Sequence, residues 1–247
     1  MKIFHLVNLT IFLSGISLYG QSTNNDKSKI ELENCVNTYN AKQFKKAIQH
    51  CDEAIKLDPS NANAIDIRGW VKVNLYEYNE AIKDFDLALS LDPTNYQLHF
   101  KKGYTYFCLK EYEKAIISLD EAIQLKPTYI NSTFYRGKSF NKINVLDKAL
   151  KDFESCLKVD PKWVDALVET AVIFSKSKDY KKAYETFSQI IILDNKNAFS
   201  FYNRGVILLT ILKDVEDYET QGCSDLKIAS EFGYSNASNA HQQLCSK

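Results

Sequence analysis

The chain has no excess of charge of either sign and none of the short motifs that usually mark an active site. Its 31 basic and 31 acidic residues cancel, so the sequence does not predict a cationic surface for nucleic acid or anionic lipid. It contains no glycine-rich phosphate loop, no HExxH, no G-x-S-x-G and no clustered metal-ligand spacing. We therefore expect a protein that is not an enzyme and that needs neither a metal nor another cofactor.

Only the N-terminus has an apolar run that bears on membrane targeting. Met1-Lys2 precedes an apolar run at residues 3–19, which is interrupted by short polar residues such as Asn8 and Thr10, and a polar stretch follows Gly20. One positive charge, a run of this length and small residues near its end are typical of a cleaved secretory signal peptide. An uncleaved anchor is the alternative, for which the run is short and polar. We expect a signal peptide at 1–20, a linker at 21–27, and an exported protein that is periplasmic, secreted or surface-associated, without membrane insertion after cleavage.

Proline is also scarce, and its positions are regular. All four prolines are evenly spaced along the chain: Pro59, Pro93, Pro127 and Pro161. Small residues keep the same interval: Gly69, Gly103, Gly137, Ala171 and Gly205, and Ala47, Ala81, Ala115, Ala149 and Ala183. Between Gly69 and Pro93, an apolar stripe at helical spacing predicts a helix with one buried face, formed by Ala81, Ile82, Phe85, Ala88 and Leu89. Pro93 should end that helix.

A helix–turn–helix unit of about 34 residues with these sites resembles the tetratricopeptide repeat, over about residues 28–210. The resemblance implies an all-α fold, a right-handed superhelical solenoid of antiparallel helix pairs. Each unit is too short to fold alone, so stacking between units must supply the core. The solenoid should occupy residues 28–247, as repeats 28–61, 62–95, 96–129, 130–163 and 164–197, an irregular unit 198–233 and a polar capping helix 234–247.

The sixth unit departs from the pattern. A small residue is missing near position 217, and an acidic insert between Asp214 and Glu219 should delay the second helix to about residues 223–232. The sequence DLKIASEFGYSNA, which starts at Asp225, is similar to the end of a Sel1-like repeat, a related solenoid unit.

Four of the six cysteines are placed symmetrically about predicted turns. Cys35 and Cys51 are equidistant from residue 43, and Cys223 and Cys245 are equidistant from residue 234. Residues equidistant from the turn of an antiparallel helix pair sit at the same height, so each pair can form a disulfide if both side chains face inward. The alternative is that these cysteines fill small core sites, as Cys156 does at an alanine position.

The resemblance also implies a binding surface, because the first helix of each repeat in this family lines a concave groove. The groove positions are Asp66, Trp70, Val73, Phe100, Tyr104, Phe107, Phe134, Lys138 and Asn141. An aromatic groove favours an apolar or helical segment of another exported protein or peptide. The alternative is that these aromatic residues pack between repeats. A redox protein using Cys108, and a purely structural solenoid without a groove ligand, are the competing functions.

Overall fold

The computed structural model describes residues 23–246, and every regular element within that range is an α-helix. No helix in this part of the chain has both the length and the hydrophobicity needed to cross a membrane. The helices are α1 (residues 23–40), α2 (Phe44–Leu57), α3 (Ala62–Asn74), α4 (Tyr78–Leu91), α5 (Tyr96–Cys108), α6 (Tyr112–Leu125), α7 (Ile130–Lys142), α8 (Leu146–Val159), α9 (Val164–Lys176), α10 (Tyr180–Leu193), α11 (Ala198–Thr210), α12 (Tyr218–Glu231) and α13 (Ala237–Cys245).

The described part of the chain forms two compact units, divided in sequence between residues 128 and 129. In the first unit, the helix pairs α3–α4 and α5–α6 pack as repeats, and α4 also contacts α5. In the second unit, α7–α8, α9–α10 and α11–α12 pack in the same way, with α8 against α9 and α10 against α11. The predicted all-α fold of consecutive antiparallel helix pairs is confirmed.

Helix α4 shows how the sequence pattern builds each pair. The side chains of Ala81, Phe85 and Ala88 are fully buried, on the stripe that the helical spacing predicts. The helix ends at Leu91, and Asp92, in front of Pro93, leaves the helical conformation with φ of −137° and ψ of 83°. A Cβ atom on Gly69 of the facing helix would lie 2.8 Å from the Phe85 ring. Only glycine permits this approach, so the small and large sites are complementary.

The turns and caps of the repeats are equally regular. The side chains of Asn61 and Asn95 accept hydrogen bonds from backbone N–H groups in the first turns of α3 and α5, as N-caps do. One residue between the two helices of each regular repeat is left-handed, with φ between 58° and 64°: Lys42, Tyr76, Lys110, Asn144 and Lys178. These residues are spaced at the interval of the prolines, so all five turns share one backbone conformation.

The structure corrects the boundary of the second helix in the sixth unit. This helix begins at Tyr218 rather than near residue 223. The left-handed turn residue is Asp217, five positions later than the regular interval requires, so the insertion amounts to five residues. Glu219 lies in the first helical turn, where a carboxylate interacts favourably with the helix dipole. The small site is Gly222, where a Cβ atom would lie 2.6 Å from Leu209. The similarity of this region to Sel1-like repeats stays a prediction.

The predicted N-terminal linker is also corrected where the structure describes it. Residues 23–27 belong to helix α1, with their side chains exposed. Ser28 is fully buried; its hydroxyl donates to the Ala54 carbonyl oxygen and accepts from the Asn61 amide. The polar composition of this stretch indicates solvent exposure, which an outward-facing helical turn satisfies as well as a loop does. The predicted signal peptide at 1–20 lies outside the described residues.

Three buried ion pairs join the two helices of alternate repeats, and the sequence analysis does not predict them. Each is an arginine on the first helix that holds a carboxylate on the second by two hydrogen bonds: Arg68–Asp84, Arg136–Asp152 and Arg204–Asp225. The carboxylate residues are at most 5 % exposed. Asp84 also forms an ion pair with Lys72. Charge at such a site requires a partner.

Both predicted cysteine pairs lie at disulfide distance. The Cα atoms of Cys35 and Cys51 are 5.3 Å apart, and those of Cys223 and Cys245 are 5.8 Å apart. The first pair joins α1 to α2, and the second joins α12 to α13. The other two cysteines, Cys108 and Cys156, are thiols. The bridges therefore link helices near the two ends of the described chain.

Reduction should loosen the joined helices first. The two bridges close segments with sequence separations of 16 and 22 residues, each worth about 3 kcal/mol in a chain-entropy model. Because repeats couple mainly to their neighbours, amide hydrogen exchange should accelerate in α1, α2, α12 and α13 before it does in α4. Non-reducing peptide mapping should first find both linked pairs. Uniform acceleration over all helices would contradict this assignment.

Removing one partner of a buried ion pair should destabilise the protein in a pH-dependent way. In Arg204→Met, the 3 % exposed Asp225 side chain loses its cation, at a cost of roughly 3–5 kcal/mol at neutral pH. Burial already raises the pKa of Asp225, while Arg204 lowers it. Without Arg204 the folded-state pKa rises further, so the folded protein binds a proton more readily than the unfolded chain. The loss should therefore shrink as the pH falls towards that pKa.

Urea unfolding at several pH values measures this effect. Lys83→Met is the matched control, because Lys83 pairs with Glu80 on the surface, with side chains 70 % and 52 % exposed. Its cost should stay below about 1 kcal/mol. A loss in Arg204→Met that grows as the pH falls would exclude an unpaired buried carboxylate as its cause.

Candidate functional site

The first helices of repeats two and three carry three partly buried aromatic residues, which we call the aromatic row: Trp70, Phe100 and Tyr104. The ring centroids of Trp70 and Tyr104 lie 5.7 Å apart, and those of Phe100 and Tyr104 lie 6.3 Å apart. Trp70 and Tyr104 pack against the edge of the core around Phe85 and remain partly accessible. The row therefore combines a fixed position with an exposed apolar surface.

The charges beside the aromatic row neutralise each other. The Lys101 ammonium group lies 2.7 Å from both carboxylate oxygens of Asp66, and 5.8 Å from the centroid of the Trp70 ring. Both charged side chains are less than one quarter exposed. Asp66, predicted as a groove residue, thus holds Lys101 against Trp70. The surface that remains here is mainly aromatic.

A cavity of about 200 Å³ lies beside one end of the row, and we call it the aromatic pocket. Four rings line it, from Trp70, Tyr76, Tyr78 and Tyr104. Val73, Asn74 and Cys108 complete its wall. Helices α3 and α5 and the turn into α4 contribute these residues, so the pocket depends on the stacking of repeats two and three.

Tyr78 and Cys108 both line the wall of the pocket. The pKa of the Tyr78 phenol is raised above its ordinary value of 10. Desolvation is the main cause, and Cys108 and Tyr76 add to it. The surroundings of Tyr78 therefore disfavour its charged form.

Two other predicted groove residues in repeats two and three have less accessible surface for a ligand. Val73 is 8 % exposed and belongs to the core around Phe85. Phe107 is partly buried, and its ring meets Tyr112 edge-on, with centroids 5.7 Å apart. For Val73 the sequence-based placement on an open face is corrected, because a first helix packs its last turn against its own partner helix.

In the second unit, the predicted groove residue Phe134 is corrected to a core position. It is 5 % exposed, stacks on Trp163 with centroids 4.6 Å apart, and meets Phe153 edge-on. Trp163 occupies the N-cap site at which Asn61, Asn95 and Tyr129 stand in earlier repeats. The large ring at this site covers Phe134. This aromatic residue therefore packs between repeats and does not line an open groove.

The polar residues predicted for the groove of the second unit form a network. Asn141, only 6 % exposed, donates to Glu169 and accepts from Lys176. The Lys138 ammonium group lies 3.6 Å from a Glu169 oxygen and 5.4 Å from the Phe134 ring centroid. These contacts link α7 to α9, and Asn141 is largely occupied by them.

The two thiols have different environments. Cys156 is fully buried in the core of repeat four. Burial, with a smaller contribution from Asp152, raises the pKa of its thiol to about 12, which suppresses reactive thiolate at physiological pH. Cys108 is partly buried and lines the aromatic pocket. Within residues 23–246, no group of three or more histidine, cysteine or acidic side chains is arranged to hold a metal ion.

Several residues of this site do not stand at the groove positions that the resemblance implies: Asn74, Tyr76, Tyr78 and Lys101. Those positions lie along first helices, whereas Tyr76 and Tyr78 lie in the turn and at the start of α4. A signal was present, since Trp70, Tyr76 and Tyr78 place three aromatic residues within nine positions.

Comparison with protein families agrees with the geometry. Models of the tetratricopeptide repeat match residues 62–95 and residues 96–129. These two segments are tetratricopeptide repeats. They are the repeats that carry the aromatic row and the aromatic pocket, with the boundaries that the sequence period predicts. No curated protein matches the sequence.

Solved structures of tetratricopeptide-repeat proteins share the fold. PilF of Pseudomonas aeruginosa is 20 % identical, with a TM-score of 0.72 over 86 % of this chain and 95 % of that chain. YrrB, a tetratricopeptide-repeat protein with an unusual peptide-binding site, is 24 % identical, with a TM-score of 0.61 over 69 % and 88 %. MamA of Desulfovibrio magneticus is 19 % identical, with a TM-score of 0.66 over 70 % and 97 %. At these identities the similarity establishes the fold alone.

Proposed function

We propose that the protein is a protein-interaction scaffold that binds an apolar segment of another exported protein through the aromatic row. The observation that carries this proposal is the row itself. Trp70, Phe100 and Tyr104 keep accessible surface on neighbouring first helices. The peptide-binding site of YrrB, a protein of the same fold, supports a peptide as the kind of ligand.

The electrostatics beside the row favour an apolar segment over a charged one. Asp66 and Lys101 satisfy each other, so a charged ligand would have to displace one of them. An apolar ligand gains from burying aromatic surface and leaves that pair intact. Large aromatic residues at the centre of an interface often contribute more than about 2 kcal/mol each.

The proposed surface is smaller than the nine groove positions that the resemblance implies. Trp70, Phe100 and Tyr104 form it, with Phe107 at its margin. The burial of Val73, Phe134 and Asn141 assigns those residues to the packing of the repeats. Around Phe134, side chains of the protein itself fill the space that a ligand would occupy.

Substitutions in the aromatic row should weaken ligand binding without lowering the stability of the protein. Peptides that bind the wild-type protein can be selected from a random library, and their affinity measured by calorimetry. Tyr104→Ala should weaken binding about thirtyfold or more, since an aromatic anchor is lost, while the helical circular dichroism is unchanged. Phe85→Ala should instead cost about 3–5 kcal/mol of unfolding free energy, because Phe85 is fully buried.

Ile117→Ala is the control for loss of exposed apolar surface elsewhere. Ile117 is 64 % exposed on the second helix of repeat three, so its removal should change neither affinity nor stability. If Tyr104→Ala unfolds the protein as readily as Phe85→Ala does, the row is core and the proposal fails.

Export to the periplasm, the cell surface or the medium is the second part of the proposal. It rests on the N-terminal pattern of residues 1–20 and on two cysteine pairs at disulfide distance, since disulfides persist in oxidising compartments. Protein isolated from its host should begin at Gln21 or a near neighbour, as determined by N-terminal sequencing. Recovery of intact Met1 in a membrane pellet would favour an anchor instead.

A further inference from the structure

The aromatic pocket has the size of one side-chain ring. Its volume is about 200 Å³, and an apolar cavity of about 150 Å³ in another protein accommodates benzene. Trp70 and Tyr104 form one pair of rings in the wall, with centroids 5.7 Å apart. Tyr76 and Tyr78 form a second pair, edge to face, with centroids 6.1 Å apart. A ring between these pairs would meet aromatic edges and faces, which aromatic rings favour.

The charges around the pocket disfavour an ionic ligand. None of the seven residues in its wall carries a formal charge at neutral pH. An anion would find no cation in the wall. A cation beside Trp70 would meet the Lys101 ammonium group, which already lies 5.8 Å from that ring. The raised pKa of Tyr78, caused mainly by desolvation, likewise indicates surroundings that suit a neutral group.

The rim of the pocket includes a strained residue. Tyr76 has φ of 63°, a left-handed conformation that is unfavourable for a bulky side chain. Its side chain is 78 % exposed, so little packing compensates for that strain. The corresponding turn residue of repeat three is Lys110, with φ of 64°, and it does not line the pocket. Every regular repeat has a left-handed residue at this position, so the conformation belongs to the turn. Among these five residues only Tyr76 is aromatic, and its ring lines the pocket.

We propose that the aromatic pocket binds a single neutral aromatic side chain, of the phenylalanine type, from the segment that lies on the aromatic row. This inference rests on the proposed function and deepens it by naming the ligand group. Trp70 and Tyr104 belong to both the row and the pocket, so a bound segment would place its aromatic side chain next to its apolar contacts. Tyr76 and Tyr78 provide selectivity at the rim.

Blocked amino acids test the pocket without a partner protein. In a Trp163→Phe background, Trp70 is the only tryptophan, and its fluorescence reports ligand binding. N-acetyl-phenylalaninamide should give a saturable change. N-acetyl-leucinamide should bind at least about fivefold more weakly, because it lacks ring-to-ring contacts. N-acetyl-trimethyllysinamide should bind no better than the leucine amide. Tighter binding of the trimethyllysine amide would overturn the proposal and indicate a cation site.

The Tyr76→Gly variant tests whether the ring at the rim contributes to binding, independently of the stability of the fold. It removes one ring and relieves the left-handed strain, so affinity for the phenylalanine amide should fall at least about fivefold while the melting temperature stays equal or rises. Lys110→Gly is the matched control, since it relieves the same strain outside the pocket and should leave affinity unchanged. Unchanged affinity in Tyr76→Gly would overturn the proposal.

Phe100→Ala distinguishes failure of the pocket from failure of the proposed function. Phe100 belongs to the row but not to the pocket wall, so this variant should lose affinity for the selected peptides and keep affinity for the phenylalanine amide. If the peptides bind through the row and wild-type protein does not bind the amide, the pocket proposal fails alone. If Phe100→Ala and Tyr104→Ala bind the peptides like wild type, the row is not the binding surface.

Discussion

A Cβ atom on Gly69 would lie 2.8 Å from the Phe85 ring, and one on Gly103 would lie 2.7 Å from Leu119. At these sites the two helices of a repeat approach more closely than any other residue allows. The large side chain of the second helix fills the space left by the missing one. In the repeats that carry glycine at this site, the contact fixes the height and rotation of the paired helices. The faces that remain for neighbouring repeats and for a ligand follow from it.

The same contact explains how the sixth unit tolerates five additional residues. Gly205 is retained on α11, and Gly222 replaces the alanine that regular repeats carry on the second helix. The ion pair Arg204–Asp225 spans 21 residues, whereas Arg68–Asp84 spans 16. On the second helix of this unit, the small residue and the ion-pair carboxylate both lie later in the sequence by the length of the insertion. Helix packing is thereby preserved, while the turn absorbs the extra chain.

Equivalent positions can serve the core in one repeat and the surface in another. Phe100 and Phe134 occupy the same position in successive repeats, yet Phe100 stays partly accessible and Phe134 is buried under Trp163. The capping site that follows Phe134 holds Trp163, and the one that follows Phe100 holds Tyr129. A large ring therefore follows both residues, and the packing of that ring decides which of them is buried. The groove positions of the family therefore specify where the backbone lies. The neighbouring side chains decide whether the residue at such a position is exposed to solvent.

The sequence period predicted the helices of the regular repeats and the helix ends before Pro93 and its equivalents. The positions of the cysteines relative to predicted turns predicted how they pair. Each of these depends on residues close in sequence, or on symmetry about one turn. The aromatic pocket, the burial of Asp84 and the covering of Phe134 needed the tertiary structure. They depend on which side chains of different helices meet, and a single sequence does not specify those distances. Tyr76 illustrates both cases: its turn follows from the repeat period, but its place at the rim of the pocket follows from the packing of α3 against α5.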